Sequence, residues 1–178
     1  MWSYSRLRRL AHRFCHWAGP LAACVLLVAC GFQLRGTQQL PFETIALNFP
    51  PNSPLGTELA RNIRTSTNTR VLADSTKAEA VFDLLTEMRD RQVLTIDAQG
   101  RALEYTLRDR LRFRLRDAKG REVIEPTDLQ VQRDITFNDS QRLSKESEEA
   151  LLYRDMQTDL VQQLLRRIAA AKPYADSE

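Results

Sequence analysis

Two sets of residues in this 178-residue chain have types and spacings that could do chemistry. The first is Leu27-Val28-Ala29-Cys30, at the end of a short apolar run. A cysteine directly after such a run marks a lipoprotein cleavage site. The Cys30 thiol would be diacylated, residues 1–29 removed and the new amino terminus acylated. The second set is Arg108, Arg110, Arg112, Arg114 and Arg116, every other residue of one segment. Guanidinium groups offer planar, bidentate donors to carboxylate and phosphate.

The segment before Cys30 has the parts of a secretory leader. Arg6, Arg8, Arg9 and Arg13 form a positive start, and Gly19 to Ala29 is apolar. That run is about half the ~20 residues a spanning helix needs. A plain secretory signal with an incidental cysteine is the alternative. Two or three acyl chains would anchor the chain stably, where one would be marginal. Gly31 is not the aspartate that would retain a lipoprotein in a bacterial inner membrane, so the outer membrane is the default.

Removing the leader changes the charge. The whole chain is +3, and the mature chain has 22 Lys and Arg against 23 Asp and Glu, or −1. No net positive field remains for general nucleic-acid binding. Cys15, Cys24, His12, His16, Trp2 and Trp17 all lie in the leader. With Cys30 acylated, no thiol or imidazole is left for a disulfide, a nucleophile or most transition-metal sites. No catalytic residue, metal ligand or cofactor is expected. A periplasmic hydrolase would have to use a Ser/Lys or two-carboxylate site. The acids do not sit in the glycine-framed or apolar settings that perturb catalytic groups.

The elements that position the arginines follow from periodicity. Residues 30–41 read as a lipidated tether, 42–172 as a single domain and 173–178 as a flexible tail. Ile45, Leu47 and Phe49 alternate in a strand. Ser53 and Pro54 suit the N-cap and first turn of a helix whose Leu55, Leu59 and Ile63 share a face. Val71 and Leu72 suit a short extended piece. A second strand covers Ala80 to Arg91 and could run on to Ile96, with Phe82, Leu84 and Met88 on one face and Asp83, Glu87 and Arg89 on the other. Asp97-Ala98-Gln99-Gly100 and Asp117-Ala118-Lys119-Gly120 read as turns. Between them lies the arginine strand, with Tyr105, Leu107, Leu111, Phe113 and Leu115 of opposite parity. A fourth strand carries Leu129, Val131, Ile135 and Phe137, interrupted by Arg133. Asn138 to Ser147 reads as a polar loop, and a long helix follows, with Leu152, Met156, Leu160, Leu164 and Ile168 in register. The expected fold is α+β, a two-layer sandwich with two helices on one face of a four-stranded mixed sheet, in the order β-α-β-β-β-α.

In a strand the whole arginine series lies on one face, over roughly 27 Å. Two readings stay open. One is a solvated face of cross-strand ion pairs, with Asp83, Glu87, Asp128 and Asp134 as partners, each exposed pair contributing about 0.2–1 kcal/mol. The other is a docking surface for an anionic or carboxylate-bearing partner.

Cys30-Gly31-Phe32-Gln33-Leu34-Arg35-Gly36 resembles the start of mature outer-membrane lipoproteins of the LptE (RlpB) family: Cys-Gly, an aromatic, a variable residue, Leu and Arg. The domain length, the element order and the segment Phe137-Asn138-Asp139 leading to Lys145 are also similar to that family. The resemblance implies a lipid-anchored, non-enzymatic plug subunit inside the lumen of the β-barrel LptD. Such a subunit assists barrel assembly and the placement of lipopolysaccharide in the outer leaflet. It implies LptD and lipopolysaccharide as partners, a domain on the periplasmic side and within the lumen, and Lys145 and Arg101 as candidate lipopolysaccharide contacts. The competing reading is a lipoprotein adaptor of another envelope-assembly complex.

Overall fold

The computed structural model describes residues 39–137 and 142–174. The leader, Cys30, most of the tether, the end of the tail and residues 138–141 lie outside the described residues.

Seven principal elements follow in chain order: β1 (Thr44–Asn48), α1 (Pro54–Ser66), β2 (Arg70–Leu72), β3 (Ala80–Ile96), β4 (Ala102–Asp117), β5 (Glu122–Thr136) and α2 (Arg142–Ala169). A 3₁₀ turn at Ser75–Lys77 precedes β3. The strands form one sheet in the order β2-β1-β3-β4-β5. β1 runs parallel to both β2 and β3, while β3, β4 and β5 form an antiparallel meander. The sheet therefore has five strands where four were expected. The extended piece at Val71 and Leu72 pairs with Ile45 and Ala46 of β1 and becomes an edge strand.

One face of the sheet carries both helices. Leu55, Leu59 and Ile63 of α1 and Met156, Leu160, Val161, Leu164, Leu165 and Ile168 of α2 pack in one cluster with Ile45, Phe82, Phe113 and Leu115. Such fully buried side chains contribute roughly 1.5–3 kcal/mol each. Ser53 caps α1 as its type predicts, its hydroxyl accepting from Gly56 N at 3.1 Å. Gln157 and Thr158 of α2 donate to Glu58 of α1 and tie the helices side by side.

Three expectations change. β3 does not alternate evenly: Leu84 pairs with Phe113 and Thr86 with Arg112, so Leu85 is an extra residue, a β-bulge. Beyond it the parity reverses. Thr86, Met88 and Asp90 join the face without helices, and Glu87, Arg89 and Arg91 turn to the helix side. Met88, expected in the core, is 56% exposed. β5 begins at Glu122 and carries Pro126 inside it, which its edge position permits because no further strand needs that N–H. α2 begins at Arg142, so Lys145 lies in its first turn and not in a loop. That stretch reads as loop because it has no apolar face to bury: Leu143 is 82% exposed.

The two turns of the meander are copies of one device. In Asp97-Ala98-Gln99-Gly100-Arg101 the aspartate accepts from the N–H of Gln99 and of Arg101 and from Arg101 Nε. Asp117-Ala118-Lys119-Gly120-Arg121 repeats all three bonds. Gly100 and Gly120 have φ of 79° and 81°, the left-handed region that glycine enters without strain.

Gly56 is required for a different reason. A Cβ there would lie 2.6 Å from Phe49 Cγ and 2.9 Å from its Cβ. Phe49 stacks on Phe82 at 5.2 Å, and Phe82 on Phe113 at 5.3 Å, so displacing its ring would disturb the stack. Alanine would gain about 1 kcal/mol in helix propensity. Overpacking costs about 1–3 kcal/mol and wins. We expect Gly56→Ala to lower the unfolding free energy by up to about 2 kcal/mol in a urea titration; a stabilised variant would show that β1 and α1 can separate at little cost.

Candidate functional site

The face without helices is where the arginine series lies. Its small apolar patch is confined to Ala46, Ala78 and Val81, with Leu72 against them. The rest is mainly charged and polar. Arg116 Nε donates to Asp83 Oδ2 at 2.6 Å and its Nη2 to Oδ1 at 3.1 Å, a bidentate pair. Arg114 Nε reaches the same carboxylate at 2.9 Å, and its Nη1 lies 3.4 Å from Glu122. Asn48 of β1 adds a bond at 2.7 Å. Further along, Asp90 takes Arg110 at 2.7 Å and Arg108 at 3.2 Å. Arg108 also donates to Gln92, and Arg110 lies 3.3 Å from Met88 Sδ.

The ion-pair reading is thus realised in part, with partners partly different from those expected. Asp83 pairs as its parity predicts. Glu87 does not, because the bulge turns it to the other face; Asp90 takes that role. Asp128 lies opposite Arg112 in register but makes no ion pair with it. Asp134 accepts from Thr106 at 2.6 Å and from no arginine. Arg112 is exposed and has no side-chain partner among the described residues. The Nε atoms of Arg108 and Arg110 are buried without a hydrogen bond. The face holds more donors than the sheet supplies acceptors for.

Around Arg110, next along the strand from Arg112, is an open hollow of about 320 Å³, lined on this face by Thr86, Met88, Arg110, Asp128 and Gln130. The register explains it. Arg112 stands between Thr86 and Asp128, whose side chains are too short to cover it.

The other face holds a feature that sequence reading missed. Asp109 has the parity of Leu107 and Leu111 and is fully buried against the helix side. Arg89 Nε donates to its Oδ2 at 2.8 Å, Arg89 Nη2 reaches Gln157 of α2 at 2.9 Å, and Oδ1 has no partner. Burial pushes the Asp109 carboxyl up, against the pull of Arg89. Arg91 pairs with Glu149 at 3.1 Å, and Arg133 with Asp159, so charged side chains attach the outer half of the meander to α2. The signal was present, as an acid inside an apolar alternation, but its partner was assigned to the wrong face. Desolvation raises Glu87 as well, although its side chain is exposed at the surface.

The two candidate lipopolysaccharide contacts lie outside the arginine face. Arg101 is 66% exposed at the β3–β4 turn, with its Nε on Asp97 at 2.7 Å. Lys145 is 14% exposed, with Nζ at 2.8 Å from Glu148 and 3.4 Å from Thr136. Among the described residues no group of three His, Cys, Asp or Glu side chains could hold a metal ion, and no helix is long and apolar enough to cross a membrane.

Residues 42–168 match the family LptE, Lipopolysaccharide-assembly. The LPS-assembly lipoprotein LptE of Photorhabdus laumondii is 27% identical over 152 residues, covering 83% of this chain and 82% of the relative. That of Pectobacterium atrosepticum is 28% identical over 153 residues, with the same coverage. The solution structure of an uncharacterized lipoprotein B from Nitrosomonas europaea superposes with a TM-score of 0.70 at 36% identity, covering 79% of this chain and 91% of that one. The crystal structure of a minor lipoprotein from Acinetobacter baumannii gives 0.60 at 26% identity, covering 74% and 93%. The chain belongs to the LptE family.

The Asp83 knot generates a pH prediction. Burial disfavours the charged carboxyl, but the bonds from Arg116, Asn48 and Arg114 outweigh it and bring the pKa from 3.8 to about 2. The folded value lies below the unfolded one, so the contribution is present above pH 4 and is lost as pH falls toward 2. It amounts to about 2 kcal/mol. Asp83→Asn should lower stability by about that much at pH 7 and by little near pH 2. Equal losses at both pH values in urea titrations would remove the ionised pair as the cause.

Proposed function

We propose that this chain is a lipid-anchored plug subunit of the outer-membrane lipopolysaccharide translocon. It is acylated at Cys30, lies on the periplasmic side and within the lumen of an LptD-type β-barrel, and assists barrel assembly and the insertion of lipopolysaccharide into the outer leaflet. The family membership of residues 42–168 carries this reading. The sequence around Cys30 supports the anchor. The polar face built by β3, β4 and β5 suits a barrel lumen, which is itself polar.

The role is one of binding and placement, not catalysis. The arginine face of Arg108, Arg110, Arg112, Arg114 and Arg116 meets the barrel wall. Arg101 and Lys145 are the candidate contacts to the phosphorylated, lipid-proximal part of lipopolysaccharide. Each is held by one internal carboxylate, Asp97 and Glu148 respectively, that an anionic ligand would displace.

Expression of the chain with its own leader, extraction of the outer membrane in mild detergent and mass spectrometry of what co-purifies tests the assembly. A stoichiometric LptD-type barrel with lipopolysaccharide is expected. Recovery of the lipoprotein alone, or with a different envelope complex, would replace the proposal with a general adaptor role. For the ligand contact, Lys145→Glu should reduce bound lipopolysaccharide about tenfold, since it replaces a donor with a like charge, while the barrel is recovered at wild-type yield. Unchanged lipopolysaccharide content would remove Lys145 from the contact.

A further inference from the structure

We infer that Arg112 is the anchor of the docking face and takes a single carboxylate side chain, Asp or Glu, from the inner wall of the partner barrel. This rests on the reading above that the partner is a barrel protein. The reason is the contrast along one strand. Arg108 and Arg110 share Asp90, and Arg114 and Arg116 share Asp83. Arg112, at the midpoint of the series, has no acceptor among the described residues, although Asp128 is its direct neighbour across the ladder. An exposed guanidinium with its whole donor fork free is suited to bidentate capture of a carboxylate.

The size of the site selects the occupant. The hollow next to Arg112, bounded by its register neighbours Thr86 and Asp128 and lined by Arg110 and not by Arg112 itself, measures about 320 Å³. It admits one or two side chains; an acylated, phosphorylated disaccharide is several times larger. Charge selects in the same direction. Asp83 and Asp90 are already taken by the flanking arginines, so the free charge at the site is that of Arg112 alone, which one carboxylate matches and a phosphate dianion exceeds. Thr86 and Gln130 at the rim can bond to the backbone or the second oxygen of an incoming acid. Met88 supplies the apolar contact that excludes water around the pair, which strengthens it.

The test uses the full chain, with its own leader, in cells that make its barrel. Arg112→Glu should lower the recovered barrel about tenfold or more, and Arg112→Lys by about threefold, because lysine keeps the charge but loses the fork. Arg167→Glu, on the exposed side of α2, should leave recovery unchanged. In an otherwise unaltered chain, a photo-crosslinking residue at position 86 should join the barrel. That arm stays decisive if a charge variant accumulates poorly. A second crosslinker at position 154, on the solvent side of α2, separates the two ideas. Crosslinks to the barrel from 154 but not 86, with full recovery of Arg112→Glu, would leave the barrel partner in place and overturn the role of Arg112. A crosslink from 86 to lipopolysaccharide would overturn it too. No barrel with the unaltered chain, and no crosslink from either position, would overturn the partner reading and this inference together.

Discussion

The β-bulge at Leu85 decides which charges this protein shows and which it buries. In an unbroken ladder Leu85 would face Arg112, Glu87 would face Arg110 and Arg89 would face Arg108. The last pairing sets two cations side by side, and like charges directly opposite are destabilising. One extra residue replaces these neighbours with Thr86, Met88 and Asp90. Asp90 then serves two arginines, and Arg89 turns to the other face to meet Asp109. The same insertion turns Glu87 away from Arg110. The Asp90 bridge and the buried Arg89–Asp109 pair are two results of a single backbone irregularity.

The division of the sheet into two regimes follows from where apolar residues run out. Near β1 the helix-facing surface is hydrocarbon: Ile45, Phe82 and Phe113 lie under Leu59 and Leu164. Toward the β3–β4 turn the same face becomes charged, and α2 is held there by Arg89, Arg91 and Arg133 with Gln157, Glu149 and Asp159. Arg89 and Arg91 also lie over the rings of Tyr153 and Tyr105. Exposed ion pairs are individually weak. A long helix held this way at one end and by close packing at the other is tight where its core is and looser where the meander projects.

Most of the architecture was legible because its signals are local. The alternation in the arginine strand, the Ser53 cap and the apolar stripe of the last helix each depend on residues within a few positions, and each appears as read. What escaped depends on partners distant in sequence. No local signal distinguishes a bulge at Leu85 from an unbroken strand, so Met88, Glu87 and Arg89 were placed on the wrong faces. The edge strand at Arg70–Leu72 exists only because β1 accepts it, and three residues are too few to show a period. The first turn of α2 buries no apolar side chain, its Leu143 standing in solvent, and it resembles a loop. At the candidate site, the arginine face could be found from parity alone. Identifying which arginine is unpaired required the register.

The duplicated Asp-Ala-x-Gly-Arg turn bears on the order in which the chain folds. Each turn closes through its own aspartate and needs no tertiary contact to set its shape. The three strands it joins are adjacent in sequence, so their pairing closes only short loops. β1 and β2, by contrast, pair in parallel and require the crossover through α1 before either gains a partner. The meander can therefore pair before the remainder of the sheet, and its two turns use the same device. A chain that folds in this order acquires its charged face early, before the hydrophobic layer is complete.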